Sequence, residues 1–362
     1  MLSDSKDYYF ATDIVQIPYP SKYKNEFSFL KEIDSMALIQ EELNLIQAFK
    51  NYFKNPSHFG FPKFKSKKNV KQSFTTQQYA TIRIEDGKLR MPKVKDLIKI
   101  KLHRQIPENH KIKCATISKT STGKYFVSIL TEFEFDLPAP ILDTENSLGL
   151  DYSQTRFFVD NQNRNPKFEK FFKKSENRLV KEQRRLSHMT FGSSNYLKQK
   201  LKVAKMYEKI ANQRKDFLHN LSTKLANQYD MIFVEDLNLR NMSKALKLGK
   251  NLMDNSFGMF REMLTYKMFV RGKIFEKIPW NYPSSKLCHH CGTVNQNLSL
   301  GEMNWTCECG TTINRDENAA QNIRSQGILQ IKNRCNNGDR LLNLAATAAL
   351  KSKPRPLQVV GG

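Results

Sequence analysis

The chain has 362 residues, of which 39% are hydrophobic, and its 59 Lys and Arg against 35 Asp and Glu give a formal charge of +24 at pH 7. A disordered chain is excluded, because 24 Phe and 13 Tyr supply more apolar area than a solvated chain carries. The apolar runs are far shorter than the roughly 18 residues that a membrane-spanning helix needs, and the opening MLSDSKDYYF is not a secretory signal. The length predicts two or three domains, and we expect a soluble, cytoplasmic protein.

The first 147 residues divide into a helical part and a β-rich part. Apolar residues recur at helical spacing over residues 28–54. Over residues 72–147, short alternating runs predict strands, with hairpin turns at Asp86-Gly87 and at Ser121-Thr122-Gly123. We expect a small antiparallel barrel or sheet in this stretch.

From residue 148 onward, the pattern is that of strands and long helices. The segment LGLDYSQTRFFVDNQ predicts strand, turn and strand, with Asp151 at the end of the first apolar run. Residues 170–228 predict a basic helical hairpin that turns at residues 190–195, and MIFVEDLNL predicts a buried strand that ends in two acids, Glu235 and Asp236. Asp236 could assist in metal binding or cap the strand, and we favour the cap.

The last part of the chain contains a further helix. INRDENAAQNI places Asp316 at a helix start, with the small and apolar residues that follow as its inward face. The last 30 residues, which end in KSKPRPLQVVGG, are expected to be a disordered tail.

The positive charge is concentrated in two windows. Residues 51–120 hold 17 Lys and Arg against 4 Asp and Glu, residues 161–220 hold 16 against 5, and the remainder is balanced. In the first window, basic residues are interleaved with aromatic ones, as in FGFPKFKSKKNVKQSF. Such a surface suits a nucleic acid, whose condensed counterions are released on binding; the alternative is a solvated surface that is basic for solubility. The candidate contact residues are Lys63, Lys65, Lys67, Lys68, Arg184, Arg185, Lys198, Lys200, Lys202 and Arg214.

Four of the six cysteines lie close together in the sequence. Cys288 and Cys291 stand in CHHCG, and Cys307 and Cys309 stand in CECGT. Two such pairs present four thiolates from two turns, which is the ligand set of a tetrahedral structural Zn²⁺ site. The alternatives are a redox pair or chance clustering. The two histidines of CHHCG could substitute as ligands, but we expect the four cysteines to complete the site.

Three acids follow strands or begin a helix in an otherwise basic chain. Singly, each has an ordinary explanation: Asp151 could cap a turn, Glu235 could pair with a base, and Asp316 could favour its helix N-terminus. Together, carboxylates from separated segments are typical of sites that hold Mg²⁺, which prefers oxygen ligands. Two such ions about 4 Å apart can promote phosphodiester cleavage. We therefore predict that these acids are magnesium ligands and catalytic residues.

The segments LGLDYS, FVEDLNL, YPSSKLCHHCG and CECGTTINRDENAAQNI, in this order, resemble the TnpB family of transposon-encoded RNA-guided DNA endonucleases, which is related to compact type V CRISPR effectors. EFSFLKEIDSMALIQ, GFPKFKSKK, IRIEDGKLRMPK, TGKYFVSIL and IANQRKDFLHNLSTKLA also fit the family, so the resemblance spans nearly the whole chain. The motifs are weak individually and specific as a series. Compared with the family, we expect a shortened N-terminus, because the chain starts only some 25 residues before EFSFLKEID.

The resemblance implies an α/β plus β architecture with an RNase H-like (RuvC) nuclease core. Asp151, Glu235 and Asp316 match the family's three catalytic acids, and the four cysteines match its inserted zinc ribbon. The implied partners are a transposon-derived guide RNA and a double-stranded DNA target with a short adjacent motif. The implied location is the prokaryotic cytoplasm, with association to the nucleoid when DNA is bound. The implied domains are an N-terminal segment and helical recognition lobe (1–71), a wedge β-barrel (72–147), the nuclease core with the basic hairpin (148–285), the zinc ribbon (286–311), the final core helix (312–328) and a tail (329–362).

Three functions remain open from the sequence. The first is a Mg²⁺-dependent, RNA-guided DNA endonuclease, which the presence of all three acids favours. The second is a cleavage-deficient relative that binds DNA through RNA as a repressor or transposon accessory factor. The third is a zinc-ribbon protein that binds nucleic acid without a guide.

Overall fold

The computed structural model describes residues 2–12, 17–64, 72–77, 81–138, 140, 142–237, 256–299, 301–336 and 358–360. The chain divides into two compact units, the first comprising Met1–Phe135 with Arg355–Gly362 and the second comprising Asp136–Pro354. Within the described ranges, no helix is both long and apolar enough to cross a membrane.

The first unit begins with helices. They are α1 (Leu2–Thr12), two short 3-10 helices (Pro20–Tyr23 and Ser28–Lys31) and α2 (Ser35–Lys54). The Asp34 carboxylate accepts a hydrogen bond from the Ala37 amide at 3.2 Å and so caps α2. The long helix therefore begins seven residues later than the apolar spacing predicts, and members of that spacing such as Phe29 and Leu43 remain exposed.

The strands of the first unit form two antiparallel sheets that share one core. The strands are β1 (Gln72–Gln77), β2 (Arg83–Glu85), β3 (Lys88–Arg90), β4 (Ile98–Lys99), β5 (Lys111–Lys119), β6 (Tyr125–Glu132) and β13 (Gln358–Val360). One sheet has the order β1-β5-β6-β13 and the other the order β2-β3-β4. The shared core consists of Ile82, Leu89, Met91, Ala115, Val127 and Ile129.

Two predictions for this stretch have different outcomes. Both hairpins are confirmed, since Asp86 and Gly87 have φ values of 48° and 71° in the β2–β3 turn, and Gly123 has a φ of 84° in the β5–β6 turn. The closed barrel is wrong for the described strands. The larger sheet ends at β1 and β13, which do not pair with each other or with the smaller sheet, so both sheets stay open.

The second unit is built on a mixed four-stranded sheet with the order β8-β7-β9-β10. Its strands are β7 (Ser147–Ser153), β8 (Phe157–Asp160), β9 (Met231–Glu235) and β10 (Ile274–Ile278). β7, β9 and β10 run parallel, and β8 is antiparallel to β7. A separate hairpin consists of β11 (Asn304–Thr306) and β12 (Thr312–Asn314).

Helices cover both faces of this sheet. They are α3 (Phe171–Ser187), α4 (Ser194–Gln228), α5 (Phe257–Phe269) and α6 (Arg315–Asn336). Successive residues of a strand point to opposite faces, and β9 follows this rule. Ile232 and Val234 pack with α4 and α5, whereas Met231 and Phe233 lie on the other side in the core that includes α6.

Helix α6 approaches the sheet closely because two glycines leave room for it. A Cβ atom at Gly149 of β7 would overlap the backbone oxygen of Ala320 in α6. A Cβ atom at Gly327 of α6 would overlap the ring of Phe233 in β9. The packing at both contact points therefore leaves room only for glycine, whose side chain is a hydrogen atom.

The predicted helical hairpin is confirmed by α3 and α4, which are joined by residues 188–193. The predicted end of the last helix is too early, because α6 continues to Asn336. The tail that was expected to be disordered contains β13, which pairs with β6. The other predicted domain boundaries stay predictions, since the chain divides into only two compact units and the prediction has six domains.

Candidate functional site

Two of the predicted acids lie side by side at one edge of the sheet. β7 and β9 are parallel neighbours, with Leu150 opposite Val234, so Asp151 and Glu235 are each one residue further along. Neighbouring strands lie about 4.8 Å apart, and parallel strands end at the same edge. The local alternation of the two strands therefore brings these carboxylates together, although 84 positions separate them in the chain.

The third acid comes from α6. Asp316 is the second residue of this helix and is buried, and the two glycine contacts hold the helix against β7 and β9. The three acids line one cleft of about 760 Å³. Its other lining residues include Tyr152, Arg156, Leu298, Met303, Lys286 and Arg315.

The cleft concentrates negative charge. Burial raises the pKa of Asp151 well above its usual range, and the charges of Glu235 and Asp316 raise it further. Burial also raises the pKa of Glu235, while a hydrogen bond from the Ser284 hydroxyl to its Oε1 opposes the rise. The shift of Asp151 therefore includes both burial and the cost of ionising carboxyls close together, whereas that of Glu235 reflects burial.

Two arginines partly neutralise the cluster. Arg156 Nη2 donates to Asp316 Oδ2 at 2.6 Å, and Arg315 donates to Asp316 Oδ1 at 3.3 Å. Both guanidinium groups also act against the rise in the pKa of Asp151. The sequence analysis did not select either arginine. Arg315 could have been found from its position directly before Asp316, whereas nothing in the segment DYSQTRF connects Arg156 with an acid 160 residues away.

Asp236, the acid that follows β9, does not line the cleft. Asp236 is exposed and forms ion pairs with Lys277 at 3.1 Å and Arg261 at 3.6 Å. Arg261 also donates to the backbone oxygen of Glu235 at 3.4 Å. These contacts fix the end of the strand and agree with the interpretation of Asp236 as a cap.

The four clustered cysteines come together in space. One potential ligand atom from each of Cys288, Cys291, Cys307 and Cys309 lies within 4.8 Å of the others, and among the described residues this is the group that meets that spacing. No histidine belongs to the cysteine group, as the sequence analysis expected.

The chain around the cysteines is shaped for ligation. In the two turns, the amides of Gly292 and Gly310 donate to the oxygens of Cys288 and Cys307, both at 2.9 Å, and the glycines have φ values of 79° and 84°. Hydrogen bonds with Thr293 lower the pKa of the Cys291 thiol to about 6. Contacts with Thr311 similarly lower the pKa of Cys309. Low thiol pKa values favour the thiolate, which is the form that binds metals.

The predicted nucleic-acid contacts are mostly exposed. Lys63 is exposed in the first unit, and in the second unit the exposed members are Arg184, Arg185, Lys198, Lys200 and Lys202. Arg214 is half-buried. Lys202 differs from the others because its Nζ donates to Glu182 Oε1 at 2.8 Å, which ties α4 to α3. The predicted contacts Lys65, Lys67 and Lys68 lie outside the described residues.

Comparison with known proteins identifies the family. Residues 128–246 match a family described as "Probable transposase", and residues 257–323 match "Cas12f1-like, TNB domain". The chain is 36% identical over 311 residues to a "Putative RNA-guided DNA endonuclease" of Streptomyces pristinaespiralis, covering 85% of this chain and 75% of the relative. The chain belongs to the TnpB family.

A second relative agrees with membership of the TnpB family, and a solved structure has a similar fold. "Putative RNA-guided DNA endonuclease InsQ" of Escherichia coli K12 is 30% identical over 322 residues, which cover 84% of this chain and 78% of that protein. Among solved structures, a cryo-EM structure of the Cas12f1-sgRNA-target DNA complex contains a similar chain, with a TM-score of 0.56 and 13% identity, covering 89% of this chain and 79% of the other. At this identity the structural likeness concerns the fold.

Proposed function

We propose that this TnpB-family chain is a Mg²⁺-dependent, RNA-guided DNA endonuclease. The observation that carries the proposal is the convergence of Asp151, Glu235 and Asp316 in one cleft. The names of the two bacterial relatives supply the reaction class. The partners would be a transposon-derived guide RNA and a double-stranded DNA target beside a short recognition motif, by analogy with other RNA-guided effectors.

The cleft fits a divalent-metal site. Its carboxylates are hard oxygen donors, and burial together with the charges of Glu235 and Asp316 raises the pKa of Asp151, a cost that a cation would offset. Asp151, Glu235 and Asp316 would be the residues that hold the ions. When bound, such ions activate a water molecule and stabilise the leaving oxygen of a phosphodiester.

The chain's own residues would perform the remaining tasks. Asp151 and Glu235 are carried by adjacent strands, which fixes their separation. Asp316 is paired with Arg156 and Arg315, which fix the orientation of its carboxylate at the cleft. The exposed basic residues of the α3–α4 hairpin would bind the backbone of the guide–target heteroduplex.

The second unit also fits an RNase H-like core with an inserted zinc ribbon. Its sheet has parallel strands with an antiparallel edge strand, and its acids lie at one end of that sheet. The four-cysteine cluster, with the low pKa of Cys291, suits a structural Zn²⁺ without an open coordination position. The roles of the first unit as recognition lobe and wedge stay predictions.

Purification from cells that carry the flanking DNA tests the proposal. Co-purified RNA of defined sequence and Mg²⁺-dependent cutting of a matched plasmid would support the endonuclease. Asp151→Ala should abolish cutting and keep RNA and DNA binding, whereas retained cleavage would show that Asp151 is not catalytic. Defined RNA without cutting would favour the cleavage-deficient binder, and no defined RNA would favour the guide-free protein.

A further inference from the structure

The segment that links β10 to the cysteine cluster contacts a predicted catalytic acid directly. The hydroxyl of Ser284 donates to Oε1 of Glu235. Ser284 itself is only 3% exposed, and its amide donates to the oxygen of Tyr282 at 2.8 Å. A glutamate has several rotatable bonds, so a donor at a fixed place selects one of its orientations.

Helix α6 holds this serine from the other side. Asn322 Nδ2 donates to the backbone oxygens of Ser284 and Leu287 at 2.8 and 2.6 Å. Asn318 Nδ2 donates to the same two oxygens at 3.3 and 2.7 Å. Residues four positions apart lie on one face of a helix, so the two amides form a clamp around the segment. Both asparagines are buried, and the helix that carries them also carries Asp316.

The clamp reaches the cysteine cluster. Asn318 Oδ1 accepts a hydrogen bond from the amide of His289 at 3.0 Å, and His289 directly follows Cys288. One continuous set of hydrogen bonds therefore runs from the first cysteine turn through α6 to Glu235. The need to provide hydrogen-bond donors for buried backbone carbonyls would by itself explain the two asparagines. It would not explain why Ser284 donates to a carboxylate that lines the cleft.

We infer that Ser284 is a positioning residue for Glu235, and that the clamp of Asn318 and Asn322 holds Ser284 in register with the cysteine cluster and with Asp316. The inference rests on the proposed function. It adds that the orientation of the second acid depends on a segment outside the nuclease sheet. Loss of the serine hydroxyl would leave Glu235 in several orientations and weaken divalent-metal binding, while nucleic-acid binding would be unaffected.

Ser284→Ala tests the inference, because the clamp binds the backbone oxygen of Ser284 and survives the change. We expect the Mg²⁺ concentration for half-maximal cutting to rise about tenfold, the size expected for one hydrogen bond to a charged group. We also expect about tenfold more Mg²⁺ to be needed for the same Mg²⁺-induced rise in Tm, which is a readout that does not depend on cutting. Affinity for guide RNA and matched DNA should not change. Ser194→Ala, which removes the hydroxyl of an exposed serine outside the cleft, is the matched control.

A second variant addresses the clamp without altering Ser284, Glu235 or a cysteine. Asn322→Ala should raise the Mg²⁺ requirement in the same direction, and zinc content together with Tm in Mg²⁺-free buffer verifies that it is folded. An unchanged Mg²⁺ requirement in folded Ser284→Ala or Asn322→Ala, beside a wild-type protein that cuts, would overturn the inference. A wild-type protein with neither Mg²⁺-dependent cutting nor a Mg²⁺-induced Tm shift would instead refute the proposed function.

Discussion

Arg156 and Asp316 form a close ion pair across the cleft, with Nη2 and Oδ2 2.6 Å apart, although 160 positions separate them in the chain. Asp316 is buried, whereas the Arg156 side chain is about one-third exposed. On the proposed function, a metal ion would use the carboxylate oxygen that this guanidinium occupies. The ion pair would then stabilise the metal-free protein and compete with the cation.

Arg156→Ala should consequently have two opposite effects. The Tm of the metal-free protein should fall, because a buried carboxylate loses a charged hydrogen-bond partner, at a cost of about 1–3 kcal/mol. The Mg²⁺ concentration needed for half of the Mg²⁺-induced Tm shift should fall several-fold, because the competitor is gone. Differential scanning fluorimetry in a Mg²⁺ titration measures both. Arg104→Ala, which removes an exposed arginine outside the cleft, is the control. A higher Mg²⁺ requirement in Arg156→Ala would contradict the competition.

The charge cluster around Asp151 predicts an unusual pH dependence of stability. The pKa of Asp151 is raised in the folded protein by burial and by Glu235 and Asp316. A raised pKa means that the protonated carboxyl stabilises the metal-free protein at low pH, and that this contribution is lost as the pH rises through the folded-state pKa. Asp151→Asn, which mimics the neutral form, should therefore be more stable than the wild type at pH 8. This stability advantage of Asp151→Asn should disappear as the pH falls toward the usual pKa of an aspartate, about 4.

Thermal unfolding in Mg²⁺-free buffer measures this effect, and chelators are omitted so that the cysteine cluster is undisturbed. At the size of the second unit, each kcal/mol corresponds to about 2–4 °C in Tm. Asp136→Asn, at an exposed position outside the cleft, is the control. If Asp151→Asn were less stable than the wild type at pH 8, this would show that the ionised Asp151 carboxylate does not destabilise the metal-free protein.

Much of the second unit could be predicted from the sequence because the information is local. Alternation and helical spacing identify β7, β9 and the α3–α4 hairpin, and the short range between Cys288 and Cys309 limits how far apart the thiols can lie. The positions of the three acids at strand ends and a helix start single them out, and the resemblance to TnpB supports the same choice. The roles of these acids in metal binding and catalysis stay predictions, although the cleft contains all three.

The features that could not be predicted depend on contacts between distant segments. Nothing near Arg156 or Ser284 in the chain reveals that one contacts Asp316 and the other Glu235. The predicted barrel failed for a related reason, since alternation specifies which residues face a core but not whether β1 and β13 pair and close a sheet. The start of α2 was predicted too early because the prediction followed the apolar spacing and did not use Asp34 as the capping residue.

Metal removal should be visible at the cysteine cluster through one tryptophan. Trp305 is 5% exposed and packs in a small core with Cys288 and Cys307, whereas Trp280, the other tryptophan of the chain, is 76% exposed. In a Trp280→Phe background, all tryptophan emission comes from Trp305. Stripping Zn²⁺ should loosen this core and shift the emission to longer wavelength, because structural zinc contributes folding energy. Re-adding Zn²⁺ should reverse the shift and Mg²⁺ should not. Unchanged emission after complete removal of zinc would show that the core does not depend on the metal.

The basic hairpin predicts a salt-dependent affinity for nucleic acid. Replacing Arg184, Arg185, Lys198 and Lys200 with Gln should weaken binding to all sequences alike. It should also reduce the slope of log affinity against log salt by up to about 0.9 for each duplex phosphate contact that is lost. Titrations of a matched and an unrelated duplex at several KCl concentrations measure the slope. An unchanged slope would mean that these side chains do not contact phosphates.

Lys202 should behave differently from the other basic residues of this hairpin. Its ammonium pairs with Glu182, and hydrogen bonds from Gln199 and Lys202 lower the pKa of Glu182 to about 2. A lowered pKa contributes stability that is present above the unfolded-state pKa and is lost as the pH falls through the folded value. Lys202→Gln should therefore lower the Tm at pH 7 and have little effect on the salt slope. A large change in slope with an unchanged Tm would reassign Lys202 to nucleic-acid binding.

The close approach of α6 to the sheet makes Gly149 a sensitive position. A methyl group there would overlap the backbone oxygen of Ala320, and backbone cannot rotate away as a side chain can. Gly149→Ala should displace the helix that carries Asp316 and destabilise the protein by at least about 1–3 kcal/mol, the usual cost of overpacking. Cutting should fall even at temperatures where the variant remains folded, because Asp316 would no longer face Asp151 at the same distance. Gly301→Ala is the matched control, since a Cβ there meets nothing within 4 Å. The measurements are the Tm and the cutting rate of each variant. Equal values for Gly149→Ala and Gly301→Ala would show that the cleft tolerates movement of α6.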